Sequence, residues 1–148
     1  MVDALIRYSL PILRISLGVV YIWFGALKIA NATPVGDLVA HTVPFIPAHF
    51  FVPALGVFEC ILGVALLVGR QMAIIAALMI AHLCGTMLVL VTQPLVAFRN
   101  GNPIVLTMTG EFVVKNVVLI SAGLVLAAAY LTRGPTHVIT VTHDPESA

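Results

Sequence analysis

Charge is what this sequence has least of. Only 9% of its 148 residues are Asp, Glu, Lys or Arg, against 61% hydrophobic. A soluble domain carries about 25% charged and roughly 45–50% apolar residues. A chain this poor in charge cannot be solvated on every side, so lipid is its expected solvent. The few charges nearly cancel, with a net of +1. That balance argues against nucleic acid or an acidic surface as a partner. Cysteine is scarce as well. Cys60 and Cys84 lie inside apolar runs and form no C-x-x-C pair, so neither a structural zinc site nor a thioredoxin-type dithiol is expected. They read as small buried hydrophobes, with a redox-cycling pair as the alternative. His41 and His49 stand eight apart with only Asp37 nearby, too sparse a set for an expected metal site.

What the chain does have is long apolar stretches, each interrupted by a few polar residues. Residues 14–28 show the pattern most clearly. On a helix, Arg14, Gly18, Tyr21, Gly25 and Lys28 fall at i, i+4, i+7, i+11 and i+14, which puts all five on one face. The rest of that cylinder is Ile, Leu, Val, Trp and Phe. A small, cationic stripe on an otherwise apolar helix suits a membrane span that turns its stripe toward other helices. Arg7 and Arg14, the apolar run 15–27 and Ala30-Asn31-Ala32 also fit a secretory signal. The segment is read here as a true span.

The whole chain reads as one all-α membrane domain, residues 1–148, forming a four-helix bundle. Spans are expected at about 10–30, 51–68, 72–92 and 111–131, each near the roughly 20 residues a bilayer requires. Pro11 suits the first turn of the first helix. Thr33-Pro34 predicts a short helix in the first long connection, outside the membrane, stopped before Pro44. Gly69-Arg70-Gln71 is a tight turn, and Arg99-Asn100-Gly101-Asn102-Pro103 turns the second long connection. Thr109 is the expected cap of the fourth helix, with Glu111 in its first turn. Gly134-Pro135 ends that helix, and residues 132–148 form a polar tail. Arg7, Arg70 and Arg133 fall on the side of the termini and Arg99 on the other, so the positive-inside rule predicts cytoplasmic termini and an inner-membrane location.

Every span contributes ionisable groups: Arg14 and Lys28, Glu59, His82, then Glu111 and Lys115. At about 1.5 Å per residue, Lys28 and Glu111 lie within one turn of the outer surface, and Lys115 roughly 6 Å deeper. Glu59 comes out roughly 12 Å down and His82 roughly 15 Å down, with Trp23 at a similar depth. A charge at the bilayer centre costs about 2.5–3.5 kcal/mol on insertion scales, so these groups are expected to find one another. Glu59 with Lys28 or Lys115, and Glu111 with Lys115 at i, i+4, would offset much of that cost. One outcome is a set of ion pairs that fixes helix register, with Arg14 and Glu111 as structural members. The other is an outward-facing pocket of Lys28, Glu59, His82 and Lys115, with Tyr21, Trp23 and Phe58 along a ring, suited to a quinone carbonyl or a small anion. His82 is the natural proton carrier in such a site, although a lone helical histidine also serves as a plain hydrogen-bonding partner.

Several stretches together resemble the DoxX-like membrane proteins. They are Leu13-Arg14-Ile-Ser-Leu-Gly18, Phe24-Gly25-Ala-Leu-Lys28, Gly56-Val-Phe-Glu59-Cys-Ile-Leu-Gly63, Val91-Thr92-Gln93-Pro94 and Gly110-Glu-Phe-Val-Val-Lys115-Asn116. The nearest look is to the YkgB/RclC-type branch, over roughly residues 8–131. That branch usually has Asp where this chain has Asn116, and its outer loops are longer. The resemblance implies a four-helix membrane bundle with Arg14, Lys28, Glu59 and Lys115 as the carried-over positions. It also implies a redox link, since relatives serve thiosulfate:quinone oxidoreduction, oxidative-stress enzymes and reactive-chlorine resistance.

The expected function is therefore a small membrane subunit of a redox- or oxidative-stress-linked system that binds a quinone or a similar small molecule in the outward-facing polar pocket. The sequence holds no metal, flavin or haem motif, so catalysis by the chain alone is not expected. A non-enzymatic accessory or assembly subunit is the alternative, in a larger complex or a homo-oligomer. A small-solute transporter is a third reading, disfavoured by four spans without broken helices.

Overall fold

Four apolar stretches become four helices because a chain in lipid must satisfy its backbone within each segment. The computed structural model describes residues 2–33, 38 and 45–132. Helix α1 is Val2–Ile29, α2 is Ala48–Val68 and α3 is Met72–Met87, extended by the short α4, Val89–Thr92. After α5, Pro94–Ala97, and a 3-10 turn at Arg99–Gly101, α6 (Met108–Val114) runs almost straight into α7 (Asn116–Leu131). Four stretches are long and apolar enough to cross a membrane: Arg7–Ile29, His49–Val68, Met72–Thr92 and Met108–Leu131. The chain is an all-α, multi-pass membrane protein. No more than 33% of any of these spans is buried within the chain, so most of each helix surface is left to contact lipid.

Some boundaries differ from the sequence reading. Helix α1 starts at Val2, which places Pro11 inside it rather than in its first turn. Membrane helices tolerate an internal proline because neighbouring groups re-satisfy the freed carbonyl, and Pro53 sits inside α2 in the same way. The cap of α6 is Thr107, whose hydroxyl accepts from the Gly110 N–H at 3.1 Å, not Thr109. The same hydroxyl donates to the Val96 carbonyl at 2.6 Å, and the Thr107 N–H donates to the Ala97 carbonyl at 3.0 Å. With a bridge between Phe98 and Leu106, these bonds fold the second connection back on itself. The expected helix at Thr33-Pro34, His41 and the tail from 133 onward lie outside the described residues.

The helices associate as two antiparallel pairs, α1 with α2 and α3 with α7. Glycines set the first pair. A Cβ on Gly18 would stand 2.9 Å from the Gly63 carbonyl oxygen, and one on Gly25 would stand 2.5 Å from that of Gly56. The approach is reciprocal: a Cβ on Gly56 would meet the Gly25 oxygen at 2.6 Å, and one on Gly63 the Gly18 oxygen at 2.7 Å. Small residues let backbones close in where lipid supplies no hydrophobic drive for helix association. Side chains set the second pair, with Met79 and Ile80 packed over Gly123. A shared core of Leu17, Tyr21, Leu62, Leu66, Ile75, Met79, Leu83 and Leu126 joins the two pairs. Gly69, at φ 75°, turns the chain out of α2 in the left-handed conformation that favours glycine.

Candidate functional site

The glycine register decides where the charges meet. Because Gly25 faces Gly56, Lys28 and Glu59 each lie one turn beyond the contact, on opposite sides of it. Side chains on a helix lean toward its N-terminus. In an antiparallel pair that lean carries Lys28 and Glu59 toward each other. The Lys28 Nζ donates to Glu59 Oε2 at 2.6 Å, and both residues are buried, at 7% and 5% exposed. Lys28, near the C-terminal end of its span, thus reaches toward the middle of the bundle rather than out to the membrane surface. The alternative, snorkelling to water, would leave Glu59 at mid-span without its lysine.

The other carboxylate oxygen is also engaged. Glu59 Oε1 lies 2.9 Å from His82 Nε2. An ionised carboxylate only accepts, so beside such a carboxylate His82 donates through Nε2. Two aromatic rings stand edge-on to the imidazole: Tyr21 with a centroid distance of 5.9 Å, and Phe58 at 5.7 Å. Three helices therefore converge on one cluster: Lys28 of α1 and His82 of α3 hold the Glu59 carboxylate of α2, and Tyr21 and Phe58 pack against the imidazole.

One polar atom in this cluster is left over. The Tyr21 hydroxyl is buried and has no hydrogen-bonding partner, and the residue is only 5% exposed. A phenol this deep ordinarily finds a partner, and an orphan costs about 1–3 kcal/mol. Beside it stands the His82 imidazole, its ring centroid 5.9 Å from that of Tyr21. The orphaned phenol thus lies against an imidazole that Glu59 holds, with Lys28 on the far oxygen of the same carboxylate.

The remaining expected members stand elsewhere. Lys115 is exposed on the outside of the fourth span and takes no part in the cluster. Trp23, at 67% exposed, faces outward and does not line the site. Glu111 is exposed as well, and its i, i+4 pairing with Lys115 does not close: among the described residues, Lys28 and His82 on Glu59 are the contacts within ion-pair distance. The inward position on this span belongs to Asn116, whose Nδ2 donates to the Thr86 hydroxyl at 2.6 Å, one turn from His82. Residues facing the same way as Asn116, namely Val113, Gly123 and Leu126, are buried. Neighbouring positions on a helix differ by about 100°, so Lys115 is turned away.

Among the described residues Arg14 joins no carboxylate either. Its guanidinium lies against the backbone of Gly69, where a side chain would otherwise stand, at the C-terminal end of α2. Its Nη1 lies 3.4 Å from the Tyr130 hydroxyl, and its Nε is buried without a partner. A helix C-terminus carries negative partial charge, which suits a cation. The two cysteines are free; Cys60 directs its thiol at the Ile22 carbonyl at 3.7 Å, and Cys84 is exposed.

The family model for DoxX matches residues 9–92, more than half of the chain. The matched stretch contains Arg14, Tyr21, Lys28, Glu59 and His82, and stops before Lys115. No curated protein and no solved structure matches the chain. The chain belongs to the DoxX family.

Proposed function

We propose that this DoxX-family membrane protein binds a quinone between its helices, at the Tyr21 hydroxyl and the His82 imidazole, as a small subunit of a redox-linked system. The orphaned Tyr21 hydroxyl beside the Glu59–His82 pair carries the reading. Ion pairing that only fixed helix register would need Lys28 and Glu59; it gives no use to a buried phenol without a partner. A phenol both donates and accepts. It can donate to a quinone carbonyl and accept from a quinol hydroxyl, so one site serves both redox states. Glu59 holds the His82 imidazole in place at Nε2, and Lys28 holds Glu59 from the other carboxylate oxygen. Phe58 offers an apolar edge to a ring. In this reading the termini and the Gly69–Gln71 turn face the cytoplasm across an inner membrane, following the positive-inside asymmetry.

The test is thermal unfolding of the purified protein in detergent with a short-tailed benzoquinone. Saturation at 100 times Kd adds about 2.7 kcal/mol, a rise of several degrees in Tm. Tyr21→Phe should remove most of that rise while leaving the ligand-free Tm unchanged or slightly higher. No shift in the wild type, or an equal shift in Tyr21→Phe, contradicts the proposal.

A second reading, an accessory subunit packed against another chain, draws on a separate observation. The fourth span is the least buried of the four, at 17%, and carries Glu111 and Lys115 on its exposed surface. Charges facing hydrocarbon are costly, and a protein neighbour would relieve them. Membrane cross-linking from a cysteine placed at Val118 would capture that neighbour, whereas labelling by lipid analogues alone would count against it.

A further inference from the structure

The structure has a second feature that the Glu59 site does not use. An open groove of about 560 Å³ runs along the outer surface of α2 toward α3, lined by Cys60, Ile61, Val64, Ala65, Val68, Arg70, Gln71 and Ile75. Its lining is graded. Arg70 and Gln71 stand at one end, in the turn that joins α2 to α3, and everything beyond them is apolar or thiol. Cys60, Val64 and Val68 follow one another at single-turn spacing over about 12 Å. The groove thus descends from the end of the bundle to the middle of the span.

The polar end has a surplus of positive charge. Arg70 is exposed and, among the described residues, has no carboxylate within ion-pair distance. Arg14 lies against the neighbouring Gly69 with its Nε unpartnered. Helix α3 starts at Met72 with no side-chain cap and no acidic residue in its first turn, so the positive end of its dipole adds to the charge at the same turn. A cationic mouth above an apolar slot, within the hydrocarbon thickness, matches a molecule with an anionic head and an alkyl tail.

We propose that this groove binds one acyl chain of an anionic phospholipid, with the lipid phosphate at Arg70 and Arg14 adding positive charge behind it. The groove is lined by α2, α3 and the turn between them, and the proposal does not depend on the quinone reading.

The two cysteines supply the test. Cys60 forms the inner end of the groove, while Cys84 is exposed elsewhere on α3 and serves as an internal reference. The full chain is placed in nanodiscs of phosphatidylcholine, with or without phosphatidylglycerol, and alkylated with a membrane-permeant maleimide. Phosphatidylglycerol should slow Cys60 about fivefold relative to Cys84, the factor expected from one arginine near the surface. Arg70→Gln should abolish that dependence. Val64→Trp, which fills the groove, should slow Cys60 in both compositions. Inorganic phosphate added to phosphatidylcholine discs should have no effect, which separates a lipid from a free anion. The proposal is overturned by equal Cys60 rates in the two compositions, by a lipid effect that survives Arg70→Gln, by an unchanged rate in Val64→Trp, or by protection from phosphate alone.

Discussion

Helix α1 carries one cation near each end, and the two are accommodated in opposite ways. Lys28 is drawn into the bundle and neutralised by a carboxylate that a histidine also holds. Arg14 meets no carboxylate among the described residues; it rests on the backbone end of α2 and a tyrosine hydroxyl. The difference follows from where each can find negative charge. At the level of Arg14, α2 has just ended, and its terminal carbonyls supply a partial charge worth about 0.3–1 kcal/mol, up to about 2 when partly buried. At the level of Lys28 the facing helix is in mid-course, its carbonyls are spent on internal bonds, and only a side-chain anion will serve. The lesson is that a membrane helix can host a cation cheaply beside another helix's C-terminus, and elsewhere needs an acid.

The sharpest way to break this comparison is to remove the acid. Glu59→Gln leaves Lys28 buried without a counter-charge and should destabilise the protein by about 3–5 kcal/mol, read from unfolding titrations in mixed micelles. A loss below about 1 kcal/mol would mean that Lys28 escapes to water. Next in size is the glycine contact that sets the register. Gly25→Val puts side-chain atoms onto the Gly56 backbone and should cost about 1–3 kcal/mol, together with the quinone-dependent Tm shift. Gly85→Ala, where an added Cβ meets nothing within 4 Å, should instead be neutral or stabilising by up to about 1 kcal/mol. Arg14→Gln comes third, at about 1 kcal/mol by the same titration. An effect as large as that of Glu59→Gln would erase the distinction drawn here. Smallest is Tyr21→Phe without ligand, expected within about 0.5 kcal/mol of wild type or above it, since the hydroxyl it removes has no partner.

How far these positions could be read in advance depended on the kind of signal. The stripe Arg14, Gly18, Tyr21, Gly25 and Lys28 is periodic, and it became the face that packs on α2. Gly56, Glu59 and Gly63 share a face by the same spacing, so a Lys28–Glu59 contact was legible, as was His82 at matching depth. The fourth span misled because its periodicity is weak: Lys115 and Asn116 are adjacent, and nothing local says which one turns inward. Tertiary packing decides, through Met79 against Gly123 and the buried Val113 and Leu126. Trp23 was misplaced for a related reason, since depth along a span says nothing about the face a residue takes. The N-cap went to Thr107 rather than Thr109 because the second connection folds back and offers the carbonyls of Val96 and Ala97 to that hydroxyl. No sequence pattern signals that the Tyr21 hydroxyl would be left without a partner, because that depends on how three helices fill the space around it.

The site reading is tested most directly by infrared difference spectroscopy of a carbonyl-labelled benzoquinone bound to the protein in detergent. If the Tyr21 hydroxyl donates to the ligand, the labelled carbonyl stretch moves to lower frequency than in protein-free micelles, and most of that displacement disappears in Tyr21→Phe. A carbonyl frequency identical in protein and in empty micelles, or one untouched by Tyr21→Phe, would contradict the account.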